Sequence, residues 1–383
     1  MRISAVSVLE YTRRLDGRSW NPSFRWTERR APLVVVEADT GHSGIGEAWC
    51  AQPAIAAILA HLGDVVAPHL LGRELVDAAS IRRLVGGDPT IDGAGGQAWI
   101  GAAAASAVDI ALWDLLARSL GQPLWRTLGG RSNRVRVYAS GGLYRDGDGV
   151  DELVAEMRHH VEAGFDFLKM KVGALPLKAD LQRVSAVAAA GGSGAKLWVD
   201  AVNQLDRDTA AIWATSLHEA GAAAIQAPVP FDDLATMARI NALYLPVIAG
   251  EAATGIDRLE RLCLADAVAF LQPNIGLCGG FSAADGIASL ARSRGIDVTL
   301  QTFGTAVLQV ASLHLGAAAN LHSVEYHCFH DHLKFLLPAR LADVTGGCLE
   351  VGDEPGLGIR IPQPGTQEDG GFIRSHRRLS TQQ

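Results

Sequence analysis

At 383 residues the chain is long enough to enclose a sizeable apolar core, which excludes small disulfide scaffolds and peptides. Lys and Arg number 34 against 41 Asp and Glu, a formal charge of −7, so neither a polyanion-binding surface nor a nucleic-acid partner is expected. Hydrophobic residues make up 48% and glycines number 42, which suits a folded α/β chain and argues against disorder.

The opening MRISAVSVLEYTRRLDG alternates polar and apolar residues and becomes charged before any long apolar run, so it reads as a first strand and not as a signal peptide. A Trp- and Arg-rich loop follows, Arg18 to Arg30, and then APLVVVEADTGHSGIGEAW, a strand pair turning at Asp39-Thr40-Gly41. Helical segments are expected near 53–68, 74–85 and 95–118, the last rich in Ala with Asp109, Trp113 and Leu116 at helical spacing. The most apolar stretch, Ile100 to Leu116, is interrupted by Asp109 and Asp114, and no membrane span is expected. Residues 1–130 thus read as an α+β unit.

From Arg134 a different rhythm begins. The apolar runs VRVYASGG, FDFLKMKVG, KLWVDAV, AAIQAPV, PVIAGE, VAFLQPN, IDVTLQTF and HSVEYH are centred 22 to 31 residues apart. Each step has room for one helix and two loops, the period of a β/α barrel. Five cysteines, Cys50, Cys263, Cys278, Cys328 and Cys348, are scattered through both parts, odd in number and too far apart for a disulfide lattice or a metal knuckle. A reducing, cytoplasmic location is expected.

Polar residues at the carboxyl ends of those runs carry the functional signal. Lys169, Lys171, Asp200, Gln226, Glu251, Asn274, Gln301 and Glu325 would converge on one mouth if the barrel closes. Asp200, Gln226 and Glu251 come from adjacent strands and offer only oxygen donors, a set that favours a hard divalent cation such as Mg²⁺. The plainer alternative is that Asp200 and Glu251 form salt bridges with the two lysines. Lys169 and Lys171 are two apart on one strand and face the same side. Two crowded ammonium groups favour loss of one proton, so Lys171, nearer the mouth, can serve as a base toward carbon with Lys169 supporting it. Such a base beside a cation-bound carboxylate suits removal of the proton α to a carboxylate, the metal stabilising the enediolate.

With these residues in place the chain resembles the mandelate racemase and muconate lactonizing enzyme group of the enolase superfamily. The resemblance rests on the Lys169–Lys171 pair, Asp200 in WVDAVNQ, Glu251 in VIAGE, AVDIALWDLLARSLGQPLWRTLGG at 107–130, and GGCLEVGDEPGLGI at 346–359. It implies a (β/α)7β modified TIM barrel at 131–340, an N-terminal α+β capping domain at 1–130, and a C-terminal segment at 341–383 that completes the cap. It also implies a homo-oligomer that binds one Mg²⁺ and acts on a small-molecule carboxylate. Glu325 in VEYH falls where the resemblance implies an acid that hydrogen-bonds a substrate carboxylate oxygen; its plainer reading is a partner for Lys169 or for an arginine from the cap. The cap loops around Arg18 to Arg30 and Glu47 to Gln52 are expected to close the pocket, with Trp20, Arg25 and Trp26 as substrate contacts.

Three departures bear on the reaction. Gln226 stands where the family has a carboxylate, Asn274 where racemase-type members have an Asp, and Gln301 where they have its His partner. Asparagine and glutamine hydrogen-bond substrates but do not exchange protons at neutral pH, so both are expected as substrate-binding residues. His327, His330, Asp331 and His332 form a nearby cluster that could replace the lost dyad or bind metal, or be loop residues only. One base suffices for dehydration whereas racemization needs two, so an acid-sugar dehydratase is the leading expectation. Racemase, epimerase, cycloisomerase and a non-catalytic barrel follow, and a phosphate-ester site at LGAAAN comes last.

Overall fold

Ile3–Arg14 pairs antiparallel with Glu28–Ala38 on one side and Gly371–Ser380 on the other, so the end of the chain joins the sheet made by its beginning. Ser43–Glu47 extends that sheet through the expected turn, where Gly41 takes φ +83°, a left-handed conformation that glycine adopts at little steric cost. The computed structural model describes residues 1–50, 54–86, 98–328, 333–368 and 370–381.

Helix Ala98–Ser119 packs on the Ser43–Glu47 strand at close range. A Cβ on Gly46 would stand 1.9 Å from the Ala107 carbonyl oxygen, and one on Gly44 2.2 Å from that of Ala111. Glycine on the strand and alanine on the helix are what let the two backbones meet. This helix is long and apolar enough to cross a membrane, but 94% of its most apolar window is buried in the fold. Its two aspartates are fully buried ties. Asp114 accepts from Ile45 N at 3.0 Å, Leu357 N at 2.7 Å and Arg118 Nε at 3.0 Å, while Asp109 accepts from Ser282 N at 3.1 Å. The earlier helical segments are Ile55–His61, continued through a wider turn at Leu62–Val66 into Ala67–Leu70, and Ala78–Val85.

Eight parallel strands follow: Arg134–Ser140, Phe167–Lys171, Lys196–Asp200, Ala222–Gln226, Val247–Ala249, Phe270–Leu271, Asp297–Leu300 and Ser323–His327. Each pairs with the next and the eighth pairs with the first, closing the expected barrel. Tyr138, Phe167, Trp198, Ala224 and Ile248 fill its interior, the Trp198 ring lying 4.9 Å from Tyr138 and 5.4 Å from Phe167. Side chains alternate along a strand, so Lys169, Asp200 and Gln226 stand directly above this aromatic floor.

Two details differ from the sequence expectation. The stretch 18–30 is not an open loop: Ser19–Trp20 pairs antiparallel with Tyr144–Arg145, and the cap strand already begins at Glu28. The tail is divided, because Cys348–Glu350 pairs with the first barrel strand and only the later residues reach the cap sheet.

The seam between the 107–130 motif and the barrel is sensitive to acid. His314 is 1% exposed; its Nδ1 accepts from Trp125 N at 3.0 Å and its Nε2 meets the Leu357 carbonyl at 3.3 Å. Burial pushes the imidazole down to about 4. The unfolded chain, with an ordinary histidine, takes up the proton first as pH falls. Stability from this site is therefore complete above about pH 6.5 and is lost toward pH 4, by roughly 3 kcal/mol. His314→Gln is expected to flatten that part of a Tm-versus-pH curve; an unchanged slope between pH 6.5 and 4 would contradict the assignment.

Candidate active site at the barrel mouth

Lys169 is the hub of the mouth. It is 1% exposed, with its ammonium 2.6 Å from Glu325 Oε1, 2.9 Å from Gln226 Oε1 and 3.3 Å from Asp200 Oδ2. Lys171, one inward position farther along, reaches the same Asp200 oxygen at 2.5 Å. Gln226 extends the network by donating through Nε2 to Glu251 Oε2 at 2.7 Å. Glu251 is aimed inward by Gly250, whose φ of +132° turns the chain just after the fifth strand. Asp200 is held from the other side by Val202 N at 3.0 Å, and Val202 itself sits at φ +52°, a strained conformation for a β-branched residue.

Burial disfavours charge at Lys169, Asp200, Glu251 and Glu325, and the neighbours decide which remain ionised. At Lys169 burial is outweighed by Glu325 and Asp200, which raise it well above an ordinary lysine. Glu325 is driven the other way: burial would lift it, yet Lys169 brings it down to about 2. Asp200 likewise lies below the usual range because Lys171 and Lys169 overcome its burial. Glu251 differs, since burial and the adjacent Asp200 charge push it up to about 7. Among the described residues its only hydrogen bond comes from a neutral amide, so it is the carboxylate with no cation in direct contact, Lys171 and Lys169 acting on it only through space.

The salt-bridge alternative therefore describes Asp200 but not Glu251. The plainer reading of Glu325 is also what the structure shows. Paired with Lys169 and accepting from Thr302 N at 2.9 Å, it is an ionised acceptor and has no proton with which to hydrogen-bond a substrate oxygen. Gln226 is oriented by its partners: a lysine only donates, so the amide oxygen faces Lys169 and the nitrogen is left for Glu251.

A pocket of about 120 Å³ opens above this network. Lys169, Lys171, Glu251, Gln301, Glu325 and His327 line its barrel side, and Trp26, Arg29 and Trp49 its cap side. Three expected contacts lie elsewhere. Trp20 stacks on Tyr144 with centroids 4.6 Å apart, and Arg25 pairs with Asp146 at 2.6 Å, both drawn outward by the short strand at Ser19–Trp20. Asn274 is fully buried, its oxygen accepting from Gly276 N and its nitrogen donating to the Gln301 oxygen, so it positions Gln301 and does not face the pocket itself. His327 lines the pocket beside Phe303, and burial pushes it down to about 3 against the pull of Glu325, leaving it neutral. His330, Asp331 and His332 lie outside the described residues.

The sequence placed Arg29 and Trp49 only inside loops expected to close the pocket, marked Glu47 only as the start of one, and gave no role to Phe303. Glu47, 2% exposed, accepts from Thr305 N at 2.9 Å, Thr305 Oγ1 at 2.5 Å and Leu308 N at 3.1 Å, all at the start of helix Ala306–Ala318. A carboxylate against a helix N-terminus is a favourable pairing, and here it docks the cap hairpin onto the mouth. The one sequence signal was an acid closing an apolar strand.

A capped parallel barrel whose strand ends present two lysines on one face and carboxylates from the third, fifth and eighth strands is an acid–base site of the enolase type. Residues 21–129 match the mandelate racemase / muconate lactonizing enzyme N-terminal domain, and residues 152–364 match the enolase C-terminal domain-like family. The chain belongs to the mandelate racemase / muconate lactonizing enzyme family, and it is an enzyme of the lyase and isomerase branch that its relatives represent. D-galactarolactone cycloisomerase of Agrobacterium fabrum is 30% identical over 94% of this chain and 97% of its own. Arabinonate dehydratase of Saccharolobus solfataricus is 28% identical over 70% of this chain and 72% of its own. Among solved structures, L-talarate dehydratase from Polaromonas sp. JS666, complexed with Mg and L-glucarate, aligns with a TM-score of 0.82 at 26% identity over 99% of both chains.

Proposed function

We propose that the chain is a divalent-metal-dependent lyase that removes the proton α to the carboxylate of a sugar acid and expels the β-oxygen. The observation that carries this reading is the division of labour between the lysines. The Lys171 side chain is 16% exposed at the pocket surface and Lys169 only 2%, locked among Glu325, Gln226 and Asp200. Lys171 is therefore the amine that meets a substrate carbon, acting as a base once it has released the proton that pairs it with Asp200, and Lys169 is the fixed charge beneath it. Having taken the α-proton, Lys171 is also the group on that face able to return it to a departing β-hydroxyl.

Mg²⁺ fits the donor set, because Asp200 and Glu251 supply carboxylate oxygens from neighbouring strand ends and Glu251, pushed up to about 7 with no cation in direct contact, is the one a divalent ion would hold ionised. Gln226 can add its amide oxygen only by giving up Lys169. When bound, the ion supplies stabilisation of the negative charge that grows on the substrate carboxylate. Restoring the family's carboxylate with Gln226→Glu adds one anionic donor and is expected to tighten Mg²⁺ roughly tenfold. Calorimetry checks this, and equal affinities, or no binding to either protein, would count against the site.

The other side of the pocket favours one-sided chemistry. Gln301 does not ionise, Asn274 is buried behind it, and His327 is neutral, so a racemase with two proton carriers is not supported. The same shortage of acids favours, as a second reading, a cycloisomerase in which the departing β-oxygen is the ring oxygen of a lactone, which leaves as a carboxylate when the Cβ–O bond breaks and needs no proton. Incubation of the protein and Mg²⁺ with aldonic acids, aldaric acids and their lactones separates these. Dehydration yields a 3-deoxy-2-keto acid trapped by semicarbazide, lactone opening yields an unsaturated or isomerised acid, and inversion at Cα alone would overturn the reading. All five cysteines are free, which supports a cytoplasmic setting, and a homo-oligomer remains part of this proposal.

A further inference from the structure

Arg29 is a buried cation that nothing in the described protein neutralises by contact. It is 5% exposed on the cap strand Glu28–Ala38 and lines the pocket above the lysines. Among the described residues its guanidinium makes neither an ion pair nor a hydrogen bond, and its Nε is buried with no acceptor. Its guanidinium carbon lies 3.7 Å from the centroid of the Phe303 ring, a cation–π contact that uses none of its N–H donors in a hydrogen bond. Glu47 acts on Arg29 through space, but the Glu47 oxygens are taken up by Thr305 and Leu308. Burial lowers Arg29 to about 10, so it is still a cation at neutral pH.

A second donor in the same pocket is in the same condition. The indole Nε1 of Trp49 is buried without an acceptor, and Trp49 enters the pocket from the end of the neighbouring cap strand. Leaving an arginine and an indole N–H dry and unpaired is costly, and such groups persist where a ligand completes them. The planar fork of a guanidinium matches the two oxygens of a carboxylate.

We propose that Arg29, with the Trp49 N–H, binds a second carboxylate at the end of the substrate remote from Lys171, so that the substrate is a dicarboxylic sugar acid, an aldaric acid, and not an aldonic one. This rests on the reading of Lys171 as the base toward the first carboxylate. The barrel side handles the reacting end, and the cap strand selects for the far end by charge.

Calorimetric binding with Mg²⁺ present tests this on configuration-matched pairs: galactarate against galactonate, glucarate against gluconate, and 6-phosphogluconate as the alternative dianion. The unmodified protein is expected to bind the dicarboxylate of at least one pair about tenfold more tightly than its monocarboxylate. Arg29→Met should erase that preference while changing monocarboxylate binding by less than about twofold, and Arg29→Lys should keep part of it. Trp49→Phe, which removes the N–H while keeping an aromatic ring, should weaken the dicarboxylate roughly threefold more than the monocarboxylate. Absence of a preference in every pair, equal loss for both partners in Arg29→Met, or tighter binding of 6-phosphogluconate overturns the proposal. Because the readout is binding, a protein that prefers dicarboxylates yet never exchanges an α-hydrogen retains Arg29's role and refutes Lys171's instead.

Discussion

Replacing Lys171 with alanine is expected to lower turnover at least ~10³-fold while the protein still folds. Lys171 is the more exposed member of the pair, and its charge is one of two on Asp200 Oδ2. When it is removed Asp200 still has Lys169 at 3.3 Å, so no buried charge is stranded. The loss should fall on kcat, because the amine acts only as the Cα–H bond breaks. Lys169→Ala should behave differently: it strips Glu325 of its ion-pair partner and Gln226 of a donor inside a closed layer, so losses of folding and activity come together. Circular dichroism with steady-state kinetics distinguishes the two variants, and a folded Lys171→Ala protein with near-normal kcat would remove Lys171 from the reaction.

The second large effect is expected at the carboxylates, where two substitutions should weaken Mg²⁺ alike and move stability in opposite directions. Asp200 is the shared partner of both lysines. Asp200→Asn keeps its shape but leaves the two ammonium groups facing an amide, and a loss of about 3 kcal/mol is expected for breaking a buried pair from one side. Glu251 has no cation in direct contact among the described residues, and its charge lies beside that of Asp200. Glu251→Gln relieves that repulsion and should raise the Tm of the metal-free protein. Calorimetry should show Mg²⁺ affinity reduced at least ~100-fold in both. If both variants melt lower by similar amounts, the charge assignments within the network are wrong.

The barrel was legible because strands buried on both faces read as continuous apolar runs, each ending in a polar residue at the mouth. The period of two then placed Lys169 and Lys171 on one face without further information. The same burial hid the cap's contribution. Glu28–Ala38 is apolar on both faces, so alternation cannot tell whether Arg29 or Arg30 points inward; the pairing of Arg30 with Glu10 and of the whole strand with Ile3–Arg14 decides it. Arg25 and Trp20 looked like pocket residues because they sit in an aromatic, basic stretch. A two-residue strand pairing with Tyr144–Arg145, too short to announce itself, turns them toward Asp146. Glu47 was invisible as a tie because Thr305 is 258 residues away along the chain. Asn274 and Gln301 were read as two separate ligands, and only their mutual hydrogen bond shows that one serves the other.

One lysine, on one face, is proposed to perform the proton transfer. Proton NMR in D₂O with Mg²⁺ and an accepted sugar acid tests it most directly, by following the α-hydrogen in both Cα epimers for the unmodified protein and for Lys171→Ala. The unmodified protein should exchange or eliminate the α-hydrogen of one epimer only, and Lys171→Ala should do neither. Exchange of both epimers at comparable rates, or exchange that survives in Lys171→Ala, would show that a second base works from the side of Gln301 and His327, and would contradict it.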